Sequence, residues 1–119
     1  MRALIVDDDE TSCQLLAKVF RRGGIEVDWS ADSMAGYDKA CRYPYDLFVL
    51  DVRMPGLSGT DLAAEIKKLS PNAKIMLISA FADDALRKTA TCLGVTVLSK
   101  PFTLEHLLEA TANLVCPSP

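Results

Sequence analysis

Short apolar runs recur along the chain, and longer amphipathic stretches separate them. Each run is rich in Val, Ile or Leu and is too short for a helix, which is typical of a buried strand. Four such runs stand in the sequence, at residues 3–6, 47–50, 75–78 and 95–98. Because both faces of these strands are apolar, we predict a parallel sheet covered by helices on both sides.

A fifth segment, residues 25–29, alternates apolar and charged residues, which predicts an edge strand with one face in water. The stretch at residues 10–22 has the spacing of an amphipathic helix. Its apolar face carries Leu15, Leu16, Val19 and Phe20. Further helices are predicted at residues 34–41, 59–69, 83–93 and 104–114, and Thr103 stands where the last of these needs an N-cap. Strand and helix therefore alternate five times.

This alternation predicts an α/β fold, a flavodoxin-like doubly wound sheet of five parallel strands with five helices. With the alternating strand at the edge, the strand order is 2-1-3-4-5, and strands one and three are neighbours where the order reverses. A single domain at residues 1–115 is long enough to bury a hydrophobic core without disulfides. Residues 116–119 contain two prolines and are predicted to be a tail or the start of a linker.

Charge and cysteine usage argue against several classes of protein. The net charge is -3 and no segment gathers Lys and Arg, so we expect no direct binding to nucleic acid. The first apolar run is too short for a signal peptide or a membrane span. No C-x-x-C pair signals a zinc or redox site, and isolated thiols suit a reducing compartment. The cysteines are Cys13, Cys41, Cys92 and Cys116. We therefore expect a soluble cytoplasmic protein that does not enter a membrane.

Polar residues follow four strands at the edge of the sheet where open α/β folds bind ligands. Strand one ends in Asp7 and Asp8, and strand three ends in Asp51. Ser79 ends strand four, and Lys100 follows strand five. Because strands one and three are predicted to be neighbours, we expect their carboxylates to meet.

Carboxylates brought this close raise one another's pKa or require a cation. Oxygen ligands without a nearby His or Cys favour a hard ion such as Mg²⁺, which uses one or two carboxylates and retains waters. A carboxylate beside such an ion can attack phosphorus and form an aspartyl phosphate. Lys100 and Ser79 would then offer a positive charge and a hydroxyl donor to the phosphoryl oxygens. The pattern therefore predicts phosphoryl transfer onto one of the aspartates.

Four motifs together resemble the receiver domain of bacterial two-component response regulators, the CheY-like family, over essentially the whole chain. They are LIVDDD at 4–9, DVRMPG at 51–56, ISA at 78–80 and LSKPF at 98–102. The resemblance implies a phosphoacceptor switch that takes its phosphoryl group from a sensor histidine kinase or a histidine phosphotransfer protein. It implies a regulatory domain that assists its own phosphorylation and dephosphorylation, and not an enzyme.

The resemblance also assigns roles at the site. It implies that Asp51 is the phosphoacceptor and that Asp8 is a direct Mg²⁺ ligand. Asp7 would act on the ion directly or through water, and the main-chain carbonyl of Arg53 would complete the metal site.

In the same family, the residues corresponding to Ser79 and Lys100 contact the phosphoryl group, and the peptide bond from Lys100 to Pro101 is expected to be cis. One position departs from the pattern. Family members commonly carry Tyr or Phe three residues before the lysine, where this chain has Val97. Valine is stiff and short, so the aromatic form of the switch cannot operate here.

Two other functions remain open. A phosphatase or transferase with an aspartate nucleophile would share the metal chemistry, but its second aspartate falls where this chain has Arg53. A pseudo-receiver would bind partners without being phosphorylated, and failure to bind Mg²⁺ would favour it. The sequence leaves open whether an effector domain is covalently joined or separate, and whether phosphorylation produces a homodimer.

Overall fold

Five strands alternate with five helices in the computed structural model, which describes residues 1–115. The strands are β1 (Arg2–Val6), β2 (Glu26–Ser30), β3 (Leu47–Asp51), β4 (Lys74–Ser79) and β5 (Thr96–Ser99). The helices are α1 (Glu10–Arg22), α2 (Ser33–Arg42), α3 (Gly59–Leu69), α4 (Asp84–Leu93) and α5 (Leu104–Val115). The predicted alternation is confirmed, and the predicted tail at residues 116–119 lies outside the described residues.

All neighbouring strands are parallel, and the order is β2-β1-β3-β4-β5. The sequence-based order is therefore confirmed, with the charged strand β2 at one edge. β1 pairs with β3 so that Val6 lies opposite Leu50. Asp7 directly follows Val6, and Asp51 directly follows Leu50. The register therefore brings both aspartates to the same level of the sheet edge.

Hydrophobic side chains fill both faces of the sheet, because successive residues of a strand point to opposite sides. Ile5 of β1 belongs to a cluster with Phe20 of α1 and Leu107 of α5. Its neighbour Leu4 belongs to a second cluster, which includes Leu62 of α3. Helices α1 and α5 thus cover one face and the other three helices cover the opposite face, as a doubly wound fold requires.

Two expectations about burial were wrong. β5 was predicted to be buried on both faces, but its residues are half-buried or exposed, as suits the edge position that the predicted strand order gives it. Apolar composition does not distinguish an edge strand from a central one when helices cover much of both. Leu15 was assigned to the buried face of α1, yet 58% of it is exposed. It lies at the margin of that face.

A side-chain oxygen accepts a main-chain N–H at the start of every helix, which satisfies one of the donors that a helix N-terminus leaves free. The acceptors are Asp9, Asp32, Ser58, Asp83 and Thr103. The cap predicted at Thr103 is confirmed, whereas Asp83 precedes α4 and is not its first residue. Among the described residues, no helix has the length and apolar character needed to cross a bilayer.

Candidate functional site

Three carboxylates meet at the edge of the sheet, as the sequence predicted. Oxygens of Asp7, Asp8 and Asp51 all lie within 4.8 Å of one another. The parallel register of β1 and β3 produces this convergence, because both strands end at the same level. Asp7 is only 3% exposed, Asp51 is half-buried and Asp8 is exposed to solvent. The cluster is therefore closed on the protein side and open to solvent through Asp8.

Burial dominates the electrostatics of the cluster. Burial, together with the nearby negative charge of Asp51, raises the pKa of Asp7 from 3.8 to about 6. The main-chain N–H of Asp9 donates to Asp7 Oδ1 at 3.0 Å and opposes this rise. Burial also raises the pKa of Asp51, and Asp8 adds to that effect. The ionised cluster is therefore unfavourable alone, and a cation would relieve it.

Lys100 brings a positive charge to the same edge. Its Nζ lies 3.8 Å from Asp51 Oδ1, and the ammonium lowers the pKa of Asp51 against the effect of burial. The main-chain N–H of Lys100 donates to the carbonyl of Ser79 at 2.8 Å, which ties the end of β5 to the end of β4. The peptide bond from Lys100 to Pro101 is cis, as predicted. The structure thus brings the Lys100 ammonium to the predicted phosphoacceptor, Asp51.

Ser79 ends β4 beside the end of β3, where its preceding residue Ile78 pairs with Asp51. The side chain is buried, and its Oγ accepts the main-chain N–H of Phe81 at 3.0 Å. A hydroxyl that accepts one hydrogen bond keeps its own proton available to donate. Ser79 therefore lies at the same sheet edge as the acids, and its hydroxyl can still donate a hydrogen bond.

Arg53 is the second residue of the loop between β3 and α3. Its main-chain N–H faces the Asp51 carboxylate and lowers the pKa of that group, and its side chain is exposed. The base of the loop is closed by the N–H of Gly59, which donates to the carbonyl of Val52 at 2.9 Å. The loop is thus short, closed and directly continuous with Asp51.

Sequence reasoning missed the role of Gly59, which it placed only as the first residue of a predicted helix. A Cβ at this position would overlap the main-chain carbonyl of Asp51, and it would lie 2.9 Å from Val52 Cα. Only glycine lets α3 begin this close to the end of β3. Its place at the start of a predicted helix was the available signal, but the close approach depends on a tertiary contact.

The sequence also gave no sign of an apolar hollow beside the acids. It is lined by Asp7, Ser12, Leu15, Leu16, Ile78, Lys100 and Phe102. The exposed Leu15 belongs to this hollow, which explains why an apolar side chain lies at the margin of α1. Val97 lies in β5 opposite Leu77 and is half-buried, packed against the cluster that includes Leu62. Val97, at the position where family members commonly carry Tyr or Phe, is thus a packing residue in this fold.

Comparison with known proteins relates this site to a family. The family model described as response regulator receiver domain matches residues 3–112. The chain is 32% identical to the response regulator receiver protein CpdR of Brucella abortus over 96% of both proteins. It is 34% identical to the receiver protein Anae109_2439 of Anaeromyxobacter over 91% of this chain but only 46% of that protein. The chain therefore spans nearly all of some curated relatives and about half of others.

Solved structures agree with the sequence relatives. A CheY-like receiver domain from Methanospirillum hungatei superposes with a TM-score of 0.91 at 26% identity, covering 96% of this chain and 92% of that one. The response regulator TrrA from Thermotoga maritima, in complex with Mg²⁺ and BeF, has a TM-score of 0.84 at 31% identity and covers 95% and 97%. With the strand order and the acid-bearing strand ends described above, these likenesses show that the chain belongs to the response regulator receiver domains of two-component systems.

Proposed function

We propose that this chain is a phosphoacceptor switch in which Asp51 receives a phosphoryl group. The observation that carries the proposal is the convergence of three carboxylates within 4.8 Å, with the Lys100 ammonium 3.8 Å from Asp51. This set combines a nucleophile with groups that position and neutralise a phosphoryl group, which is what phosphoryl transfer needs from a protein. The donor is a phosphohistidine on a sensor kinase or phosphotransfer protein.

The residues of the cluster fit Mg²⁺. Carboxylate and carbonyl oxygens are the ligands that this ion prefers, and the raised pKa values of Asp7 and Asp51 reflect a negative cluster that a cation would stabilise. Asp7, Asp8, Asp51 and the main-chain carbonyl of Arg53 would hold it. When bound, Mg²⁺ neutralises charge on the carboxylates and on the phosphoryl oxygens. The related TrrA structure contains Mg²⁺ with BeF, which supports this choice of ion.

The transfer itself follows from the groups around Asp51. Lys100 favours the ionised form of the Asp51 carboxylate, which is the form that attacks. One carboxylate oxygen forms a bond to phosphorus as the P–N bond of the donor histidine breaks. The bonding electron pair goes to the imidazole nitrogen. Lys100 and the hydroxyl of Ser79 then contact the phosphoryl oxygens of the product.

We class the chain as a regulatory domain that assists its own phosphorylation and dephosphorylation. The receiver is proposed to occupy residues 1–115, with 116–119 as a tail or the start of a linker. The chain covers about half of the transcriptional regulatory protein CusR of Escherichia coli and nearly all of CpdR. Similarity to both kinds of protein is consistent with output through a joined effector domain or through a separate partner.

Intact mass measurement tests the proposal. With acetyl phosphate and Mg²⁺, the wild-type chain should gain the mass of one phosphoryl group, and Asp51→Asn should gain none. The matched control is Asp61→Asn, which removes an exposed aspartate from the first turn of α3 and should be labelled like the wild type. Labelling that persists in Asp51→Asn would place the acceptor elsewhere. A wild-type chain that is never labelled would be a pseudo-receiver.

A further inference from the structure

Ser33, the first residue of α2, joins that helix to the loop between β3 and α3. The side chain is 1% exposed. Its Oγ donates to the carbonyl of Pro55 at 3.2 Å and accepts the N–H of Leu57 at 3.2 Å. A Cβ built on Gly56 would lie 3.2 Å from the same oxygen. One buried hydroxyl therefore hydrogen-bonds to the residues on either side of Gly56 at the tip of the loop.

The tip of this loop needs a restraint from outside. Gly56 has a φ of +81°, a left-handed conformation that glycine adopts freely and also leaves freely. The base of the loop is held by the N–H of Val52, which donates to Ile78 O at 2.9 Å, and by the bond from Gly59 N to Val52 O. Arg53 lies between this base and the tip that Ser33 holds. Its main chain is therefore restrained from both sides.

The turn that contains Ser33 also holds the end of β1. The N–H of Asp7 donates to the carbonyl of Ser30 at 3.1 Å. The hydroxyl of Ser30 is not part of this contact, because its Oγ donates within the turn itself, to the carbonyl of Asp32 at 3.0 Å. This short turn thus bonds to both of the segments that carry the acid cluster, the end of β1 and the loop after β3.

We propose that Ser33 is a positioning residue for the acid cluster. Its hydroxyl fixes the loop that carries Arg53, while the same turn fixes Asp7, so the ligands from β1 and β3 keep their spacing before an ion binds. This inference rests on the proposed function, because it concerns the Mg²⁺ site. A ligand set that is already ordered loses less freedom on binding, and partners behind the ligands therefore affect metal affinity.

Three variants separate this role from ordinary packing. Ser33→Ala removes both hydrogen bonds and leaves the Pro55 carbonyl and the Leu57 N–H without the hydroxyl. Ser33→Cys keeps nearly the same volume but offers only a weak donor and acceptor. Ser30→Ala is the matched control, because it removes a buried hydroxyl from the same turn and retains the carbonyl that Asp7 uses.

The measurement is the Mg²⁺ dissociation constant of the unphosphorylated full chain, by isothermal titration calorimetry. We expect Ser33→Ala to bind about tenfold more weakly, Ser33→Cys to be weakened less, and Ser30→Ala to bind as the wild type does. Hydrogen exchange at the Leu57 amide should be faster in Ser33→Ala and unchanged in Ser30→Ala. Far-UV circular dichroism identifies a variant that does not fold. If Ser33→Ala does not fold, the Mg²⁺ affinity of Ser33→Cys tests the positioning role in its place.

Wild-type affinity in a folded Ser33→Ala, or in Ser33→Cys if the alanine variant does not fold, would overturn the positioning role and leave the proposed function intact. Equal weakening in Ser30→Ala would also overturn it, because the effect would then belong to the turn in general. Absence of Mg²⁺ binding in the wild-type chain would refute the proposed function, and the positioning role with it.

Discussion

Asp7→Asn should stabilise the metal-free chain at neutral pH. The ionised Asp7 carboxylate is buried beside Asp51, and burial raises its pKa from 3.8 to about 6. Asparagine has nearly the same shape as aspartate, and its side-chain oxygen can still accept the N–H of Asp9. In the wild-type chain that N–H donates to Asp7 Oδ1 at 3.0 Å. The substitution therefore removes charge from the cluster while keeping its main local hydrogen bond.

The magnitude follows from proton linkage. A pKa that rises from 3.8 to about 6 on folding corresponds to about 3 kcal/mol of lost stability once the group is ionised. The folded state binds the Asp7 proton more tightly than the unfolded state does. The favourable contribution of protonated Asp7 is thus complete below 3.8 and is lost as the pH rises through about 6. Above that pH range we expect the variant's free energy of unfolding to exceed that of the wild type by about 1–3 kcal/mol. The lower values apply where the buried amide N–H groups of the new asparagine lack hydrogen-bond partners.

Urea unfolding with EDTA, followed by the fluorescence of Trp29, measures this difference. The gain should be present at about pH 7.5 and nearly absent at about pH 4. The control Asp61→Asn should show no such gain at neutral pH, because that carboxylate is exposed and lies in the first turn of α3, where a negative charge is favourable. Saturating Mg²⁺ should narrow the gap, because the ion stabilises the wild type by mass action and binds the variant less well. A variant that is less stable at neutral pH without metal, or a gain that is equal at both pH values, would refute the reasoning.

Three further predictions follow from the same contacts. Lys100→Ala should slow phosphorylation by acetyl phosphate by about 10²-fold, measured by intact mass over time, and an unchanged rate would contradict the role of its ammonium. Gly59→Ala should cost about 1–3 kcal/mol in urea unfolding, because the new methyl group meets the Asp51 carbonyl; unchanged stability would disprove that contact. Mg²⁺ affinity should fall below about pH 6, as protons compete for Asp7, and calorimetry that finds constant affinity would exclude this competition.

The sheet and its acid cluster were predictable from the sequence because local patterns determine them. Runs of apolar residues mark buried strands, and the charged alternation at residues 25–29 marks an edge strand. Together these set the order in which β1 and β3 are neighbours. Asp7 and Asp51 follow those strands directly, so their meeting depends only on strand order and parallel register.

Features that depend on contacts between distant segments were not predictable. Ser33 bonds to Pro55 and Leu57, more than twenty residues away, and nothing in the local pattern of α2 marks its hydroxyl as buried. Gly59 looks like an ordinary loop glycine until the main chain of Asp51 is seen against it. The partial exposure of β5 was missed for a related reason, since its apolar residues resemble those of a central strand although the predicted order places it at the edge.

The central claim is that Asp51 is the residue that attacks phosphorus. Borohydride reduction converts an aspartyl phosphate to homoserine, and peptide mapping by mass spectrometry then locates it. After treatment with acetyl phosphate and Mg²⁺, homoserine should appear at position 51 and should be absent when Mg²⁺ is withheld. Homoserine at position 7 or 8, or phosphorylation on a residue outside the acid cluster, would contradict the account.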